Sequence, residues 1–179
     1  MQLKSVETLC SPRVHRLGAL KEGLRQKWRN HLNKSRKQDL ELIEGEEDAP
    51  FEAFERIYLK MMDRKQFIDL TEPSQSCALQ THLAPDQKMR VVLCEMEGEV
   101  CAGWICSALE DTAIYLWGAT SNRALKTNAS YLVHWRMLEW IKSRGCHSMI
   151  YMGLIRSETL GFTNSNHGSR VLMGVRFIC

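Results

Sequence analysis

Apolar side chains recur every three or four positions in two stretches near the start of the chain, which is the spacing of one face of an α-helix. The first stretch predicts an amphipathic helix over roughly 18–36, and its apolar stripe consists of Leu17, Leu20, Leu24, Trp28 and Leu32. The second begins at Phe51 and predicts a helix that opens near Asp48, because Pro50 suits the first helical turn. Each stripe indicates a helix with one face against a core.

A third helix is predicted from about Asn128 to Arg144, and it is apolar on two sides. Val133 and Met137 share one face, whereas Trp135 falls on the opposite face when residues advance by about 100° each. A helix of this kind usually lies between two layers. We therefore expect Trp135 to pack under a neighbouring helix or domain, with the lining of a cleft as the alternative.

The middle of the chain contains β-rich apolar runs separated by short turns. They predict a three-stranded antiparallel meander over 89–96, 99–109 and 112–119. A short strand over 40–43, ended by Gly45, precedes the meander, and a strand over 147–152 follows the third helix. A helical crossover joins this last strand to the meander, so the two can pair in parallel. The order predicts an α+β fold in three layers, with helices covering a mixed sheet.

The composition is that of a globular protein, with 44% hydrophobic residues. No apolar run approaches the roughly 20 residues of a membrane helix, and the first seven residues lack the apolar segment of a signal peptide. A cytoplasmic location is therefore expected. The seven cysteines include no Cys-x-x-Cys pair, which favours reduced, buried thiols over disulfides or a metal site.

The basic charge of the chain is local. Its net charge is +3, but residues 21–37 carry seven lysines and arginines against Glu22 alone. This patch has two interpretations, a solvated helix face and an anion site for the phosphates of a nucleotide-linked substrate or of RNA. Dedicated RNA recognition has little support, because no aromatic platform is interleaved with the charges.

Four motifs, in order, resemble the FemXAB family, the aminoacyltransferases that add amino acids to peptidoglycan precursors. The motifs are Lys-Trp-Arg-Asn-His-Leu at 27–32, Arg-x-x-Phe at 64–67, Tyr-x-x-Gly-Ala at 115–119, and Tyr-Leu-x-x-Trp at 131–135 with Gly-Cys at 145–146. The resemblance implies a GNAT-like fold, that of the acyl-CoA N-acyltransferases, over 17–153. This chain resembles the C-terminal one of the two GNAT-like halves that members carry.

The resemblance implies transfer of an aminoacyl or other acyl group to an amine of a nucleotide- or lipid-linked muropeptide. In GNAT-like folds the strand that ends here in Gly118 has an exposed edge that holds the acyl donor. Coenzyme A donors need a glycine-rich loop next, and residues 120–128 contain no glycine. Aminoacyl-tRNA is thus the favoured donor over acyl-CoA. No cofactor, metal or DNA partner is expected, whereas a lipid-linked acceptor implies peripheral contact with a membrane.

The same resemblance implies the substrate-binding residues, which are Lys27, Trp28, Arg29, Arg64, Tyr115, Trp117, Gly118 and Tyr131. The cations among them are expected to hold phosphates or carboxylates, and the residues at 115–118 are expected to line the acyl site. No general base is identified. The alternative is a non-catalytic GNAT-like module that binds RNA or a protein partner.

Three segments are predicted along the chain. Residues 1–16 form an N-terminal extension or the end of a preceding domain, 17–153 form the GNAT-like domain, and 154–179 form an irregular or truncated tail. The chain departs from the family after Gly153, where members continue to an element with an active-site lysine. The nearest counterpart here is Gly-Val-Arg-Phe at 174–177, without that lysine, so an inactive fragment is one expectation.

Overall fold

The computed structural model describes residues 17–66, 73–151 and 173–176. The elements in chain order are α1 (Leu17–Gly23), α2 (Gln26–Ser35), β1 (Glu41–Gly45), α3 (Asp48–Lys65), α4 (Ser74–Gln80), β2 (Arg90–Met96), β3 (Glu99–Leu109), β4 (Thr112–Thr120), α5 (Asn122–Thr127), α6 (Ala129–Ser143), β5 (Ser148–Tyr151) and β6 (Met173–Arg176). The six described strands form one sheet in sequence order. Only β4 and β5 pair in parallel, and the other neighbours are antiparallel. The predicted meander corresponds to β2, β3 and β4 and is confirmed. The predicted parallel pairing of the strand after the third helix, β5, is also confirmed.

The sheet separates two hydrophobic cores. On one face, α2 and α6 bring Trp28 and Val133 against Trp104 of β3. On the other face, α3 packs Phe54 against Leu93 and further strand residues of a second cluster. The predicted α+β arrangement of helix, sheet and helix is confirmed. Within the described residues, no helix is long and apolar enough to span a membrane.

The third predicted helix, α6, is buried on two sides, as its sequence indicates. Val133 and Met137 have no exposed surface, and Trp135 is only 4% exposed. The Trp135 ring lies 6.3 Å from that of Trp28, between centroids. Trp135 therefore packs under α2 and does not line a cleft.

Two local predictions are corrected. The helix predicted over 18–36 is broken into α1 and α2, because Arg25 is extended (φ −54°, ψ 143°) two residues after the helix-weakening Gly23. The stretch 120–128 is not a simple loop, since it contains α5. Ser121 caps α5 by accepting a hydrogen bond from the Ala124 amide (3.2 Å), and Asn128 ends it with a φ of 59°.

One strand lies within the stretch for which an irregular or truncated tail is predicted. Met173–Arg176 form β6, which pairs antiparallel with β5. The residues just before β6 are rich in glycine, serine and asparagine, so the local sequence does not indicate a strand. The edge of β5 supplies the hydrogen-bond partners of β6. Residues 1–16, 152–172 and 177–179 lie outside the described part, so the predicted domain boundaries stay predictions.

Candidate acyl-transfer site

A β-bulge interrupts β4 beside the predicted acyl site. Tyr115 pairs with Cys106 and Trp117 pairs with Ile105, which leaves Leu116 as an extra residue. Such a bulge redirects the side chains that follow it and often lies next to active sites. Here Tyr115 packs against the core under α6, whereas Trp117 packs against the core under α3. The bulge thus separates two residues that the sequence predicted to line one site.

Gly118 makes room for the phenol of Tyr115. A Cβ atom at Gly118 would lie 2.0 Å from Tyr115 Oη and 3.2 Å from Trp104 Cδ1. The Tyr115 ring meets that of Trp104 edge-on, with 4.5 Å between centroids. Burial raises the pKa of Tyr115, so its hydroxyl stays protonated. Tyr115 and Gly118 therefore form one packed unit behind the bulge.

The pairing of β4 with β5 covers only the first part of β4. Thr112–Tyr115 pair with Ser148–Tyr151, whereas residues 118–120 pair with β3 and have no strand partner on their other side within the described residues. Backbone groups at such an edge can hydrogen-bond an extended ligand. The bulge lies where the described β4–β5 pairing ends.

A cleft of about 220 Å³ lies at the far end of β4. One wall is a stripe of α3 at positions i, i+3, i+4 and i+7, made of Ile57, Lys60, Met61 and Arg64. The opposite wall consists of Glu99, Val100 and Cys101 at the start of β3 and 120–123 at the end of β4 and start of α5. The cleft is thus built from four elements that belong to three separate stretches of the chain.

Cations dominate the cleft. Arg64 donates to Asn122 Oδ1 (2.6 Å) and to the Thr120 carbonyl (2.9 Å), which holds its guanidinium at the end of β4. Lys60, one turn earlier, is exposed and forms no salt bridge with a described carboxylate. Arg123 is neutralised by Glu97 and by Glu99, the latter at 3.0 Å. Lys60 and Arg64 therefore have charge available for a phosphate or carboxylate.

Four predicted site residues lie on the other side of the sheet, on α2 and α6. Trp28 is only 2% exposed and meets Tyr131 edge-on at 5.4 Å between centroids, so its ring is a core element. Arg29 donates to the Glu22 carbonyl (2.6 Å) and to a side chain of its own helix. Lys27 is exposed. Because the sheet lies between α2 and α3, the structure does not bring Lys27 and Arg29 beside Arg64.

His134 is a buried histidine that does not fit the role of a general base. Its side chain is 2% exposed, and burial lowers its pKa to about 3, so the ring is neutral at ordinary pH. The ring lies 3.9 Å from that of Trp104, between centroids, and its Nε2 has no hydrogen-bond partner within the described residues. A substrate amine would have no open route to this nitrogen.

Sequence reasoning missed Lys60 and Arg123 as cleft residues. Lys60 precedes Arg64 by four positions, so a helical projection of α3 would have placed both on one face. Arg123 carries no comparable local signal, because its position depends on how the β2–β3 turn meets α5.

The fold agrees with a comparison against protein families. The model described as acetyltransferase (GNAT) domain matches residues 22–157. The chain belongs to the GNAT family. A comparison with curated proteins finds no match.

Solved structures share this GNAT fold. FemX superposes with a TM-score of 0.64 at 11% identity, over 73% of this chain and 48% of FemX. The ribosomal-protein-S18-alanine N-acetyltransferase from Escherichia coli gives a TM-score of 0.52 at 12% identity, over 71% of this chain and 79% of that one. An acetyltransferase from Streptococcus agalactiae gives 0.53 at 13% identity, over 68% and 76%. The GNAT chain described here spans about half the length of FemX.

Proposed function

We propose that this GNAT domain is an acyltransferase of FemXAB type, which transfers an aminoacyl or other acyl group to an amine of a cell-wall precursor. The observation that carries the proposal is the cationic cleft of Lys60 and Arg64 at the end of β4. The four ordered motifs and the superposition with FemX add support. A nucleotide- or lipid-linked muropeptide is the proposed acceptor, the latter with peripheral membrane contact.

The start of α5 favours a donor held by side chains over one held by backbone amides. A glycine-rich loop would offer several free amides to a pyrophosphate. Here the Ala124 amide is already bonded to Ser121 Oγ, and the Ser121 amide is bonded to the Cys101 carbonyl (2.8 Å). The positive charge must then come from side chains such as Lys60 and Arg64. This arrangement supports aminoacyl-tRNA over acyl-CoA as the donor.

The proposed reaction is attack by an uncharged amine on the ester carbonyl of the donor. The new amide C–N bond forms, the ester C–O bond breaks, and the released ribose hydroxyl gains the proton that the amine loses. Backbone groups of residues 118–120, at the end of β4, would orient the donor, and orientation of this kind supplies much of the rate in acyl transfer. A second GNAT-like half, as expected in longer relatives, would complete the acceptor site.

The test uses the full chain with labelled aminoacyl-tRNA or acetyl-CoA and a nucleotide-linked muropeptide. Replacing Lys60 and Arg64 together by Ala should weaken aminoacyl-tRNA binding at least tenfold, since a charged hydrogen bond contributes roughly 1.5–3 kcal/mol. Lys65→Ala, on the same helix but outside the cleft, is the matched control. Acyl transfer from acetyl-CoA, with none from aminoacyl-tRNA, would refute the donor assignment.

A non-catalytic module that binds RNA is the second candidate. It is favoured by the cations of α2 and the turn after it, where Lys27, Lys34 and Lys37 are exposed and form no salt bridge within the described residues. Lys27 and Lys34 lie two turns apart on one face of α2. A protein partner with an acidic surface would fit the same face.

A further inference from the structure

A second bulge brings two cysteines together in the β2–β3 hairpin. Cys94 pairs with Ala102 and Glu95 pairs with Val100, which leaves Cys101 as an extra residue of β3. Regular alternation would place neighbouring Cys101 and Ala102 on opposite faces of the sheet. The bulge instead lets both oppose Cys94. Both cysteines consequently belong to the same core cluster, at 0% and 2% exposure.

The two thiols are hydrogen-bonded and chemically unequal. The hydrogen bond from Cys94 lowers the pKa of Cys101 against the opposing effect of burial, and nearby Arg123 lowers it further. The same hydrogen bond, together with burial, raises the pKa of Cys94. Cys101 is therefore the stronger candidate for the reactive thiolate, and its backbone borders the cleft, where its carbonyl accepts from the Ser121 amide.

We propose that Cys94 and Cys101 form a reversible dithiol–disulfide site that peroxide oxidises. Residues opposed across antiparallel strands have Cα atoms about 4.5–5.5 Å apart, and disulfides span about 4.4–6.8 Å. Because the bulge places Cys101 opposite Cys94 beside the directly paired Ala102, the separation expected here is compatible with a disulfide. This site does not depend on the proposed function.

The oxidation is a two-electron reaction in two steps. The Cys101 thiolate attacks one peroxide oxygen, so that an S–O bond forms, the O–O bond breaks, and the hydroxide that leaves is protonated to water. The Cys94 sulfur then attacks the sulfenic sulfur, the S–S bond forms, and the S–O oxygen leaves as a second water with the Cys94 proton. A thiol reductant restores both thiols by exchange.

Cys106 provides the matched control on the same strand. It is fully buried in the same core, burial raises its pKa well above the usual value, and it has no thiol partner within the described residues. It shares the strand, the face and the burial of Cys101 but lacks the cleft and the neighbouring thiol. Only the Cys94–Cys101 pair should link.

The test treats the native full chain with hydrogen peroxide and maps thiols after denaturation. Cleavage after Glu97 or Glu99 separates the two cysteines, so a linked peptide pair that dithiothreitol releases identifies the disulfide. Wild type and Cys106→Ser should give this pair and lose two thiols at positions 94 and 101. Cys94→Ser should give no linked pair and should leave Cys101 as a trappable sulfenic acid.

Retention of both thiols, while Cys10 or Cys77 is oxidised, would overturn the proposal. So would a peroxide-dependent link of Cys101 to any other cysteine in the wild type. Because serine in a core can impair folding, Cys94→Ala is a second variant, and circular dichroism confirms that each variant is folded. A folded wild-type chain whose Cys101 reacts no faster with peroxide than Cys106 would also contradict the mechanism.

Discussion

Gly118 is the residue at which one added methyl group would disturb the candidate site most. Its neighbour across the strand is Trp104, and the Tyr115 hydroxyl occupies the space that a Cβ atom would need. The Tyr115 ring cannot easily withdraw, because it is packed edge-on against Trp104. Glycine is therefore required at position 118 because the packing leaves no space for a Cβ atom.

We expect Gly118→Ala to lower the free energy of unfolding by about 1–3 kcal/mol, the usual cost of overpacking. Urea denaturation measures the change. Gly23→Ala is the control, since a Cβ at Gly23 has nothing within 4 Å and should cause little loss. In a Tyr115→Phe background the nearest atom would be Cζ at 3.0 Å, so the cost should be smaller. An equal cost in both backgrounds would argue against the contact.

At the scale of elements, one carboxylate joins α6 to the edge of the sheet. Glu44 of β1 accepts from Arg136 of α6 at 2.7 Å and forms a salt bridge with Arg90 of β2 at 3.0 Å. Burial raises the pKa of Glu44, but the hydrogen bonds from Arg136 and Arg90 outweigh it, and the pKa lies below the usual 4.5. Glu44 therefore ties the helix layer to two strands while it is ionised.

We expect Glu44→Gln to lower the free energy of unfolding by about 1 kcal/mol at pH 7, a modest value because the group is partly exposed. A carboxyl group with a lowered pKa stabilises the fold above the unfolded pKa, and this contribution is lost as pH falls through the folded pKa. The difference between wild type and variant should thus shrink below about pH 4. Denaturation at several pH values measures it.

Glu41→Gln is the control for Glu44→Gln. Glu41 is exposed on the same strand and lies opposite Glu95, so loss of its charge removes a repulsion and should not destabilise the protein. A difference between Glu44→Gln and wild type that stayed constant down to pH 3 would contradict the electrostatic account.

For the molecule as a whole, the sheet separates two cationic surfaces. Lys60 and Arg64 face the cleft on the α3 side, and the basic residues of α2 lie on the opposite layer. One small substrate cannot contact both surfaces at once. A large polyanion could bind the α2 surface without entering the cleft. Substitutions on α2 therefore test the RNA-binding alternative, and substitutions at Lys60 and Arg64 test the acyltransferase proposal.

We expect binding of RNA by the α2 surface, if this surface is the RNA site, to weaken as salt rises, because each phosphate contact releases counterions. Lys27→Ala combined with Lys34→Ala should reduce the magnitude of the slope of log K against log salt by roughly 1.4 for single-stranded RNA. Lys65→Ala, on the α3 side, should leave the slope unchanged. An affinity that does not vary with salt would exclude the RNA-binding alternative, as measured by filter binding or fluorescence anisotropy.

Several elements of this fold could be predicted because their signals are local. The apolar stripe that begins at Phe51 has helical spacing and predicts α3, and the spacing of Val133 and Met137 predicts α6. The crossover before β5 favours a parallel pair whatever the details of packing. The split between α1 and α2, and strand β6, escaped prediction because a break and a short edge strand depend on neighbouring elements.

The sequence by itself determined the α+β class, the order of most elements, the lack of a glycine-rich loop and the family resemblance. Only the tertiary structure decided which side chains meet. Bulges place Trp117 away from Tyr115 and Cys101 beside Cys94, because a one-residue change of register moves side chains to the other face of a sheet. Packing likewise buries Trp28 and gathers Lys60 and Arg64 with 120–123, since a cleft depends on distances that local periodicity does not encode.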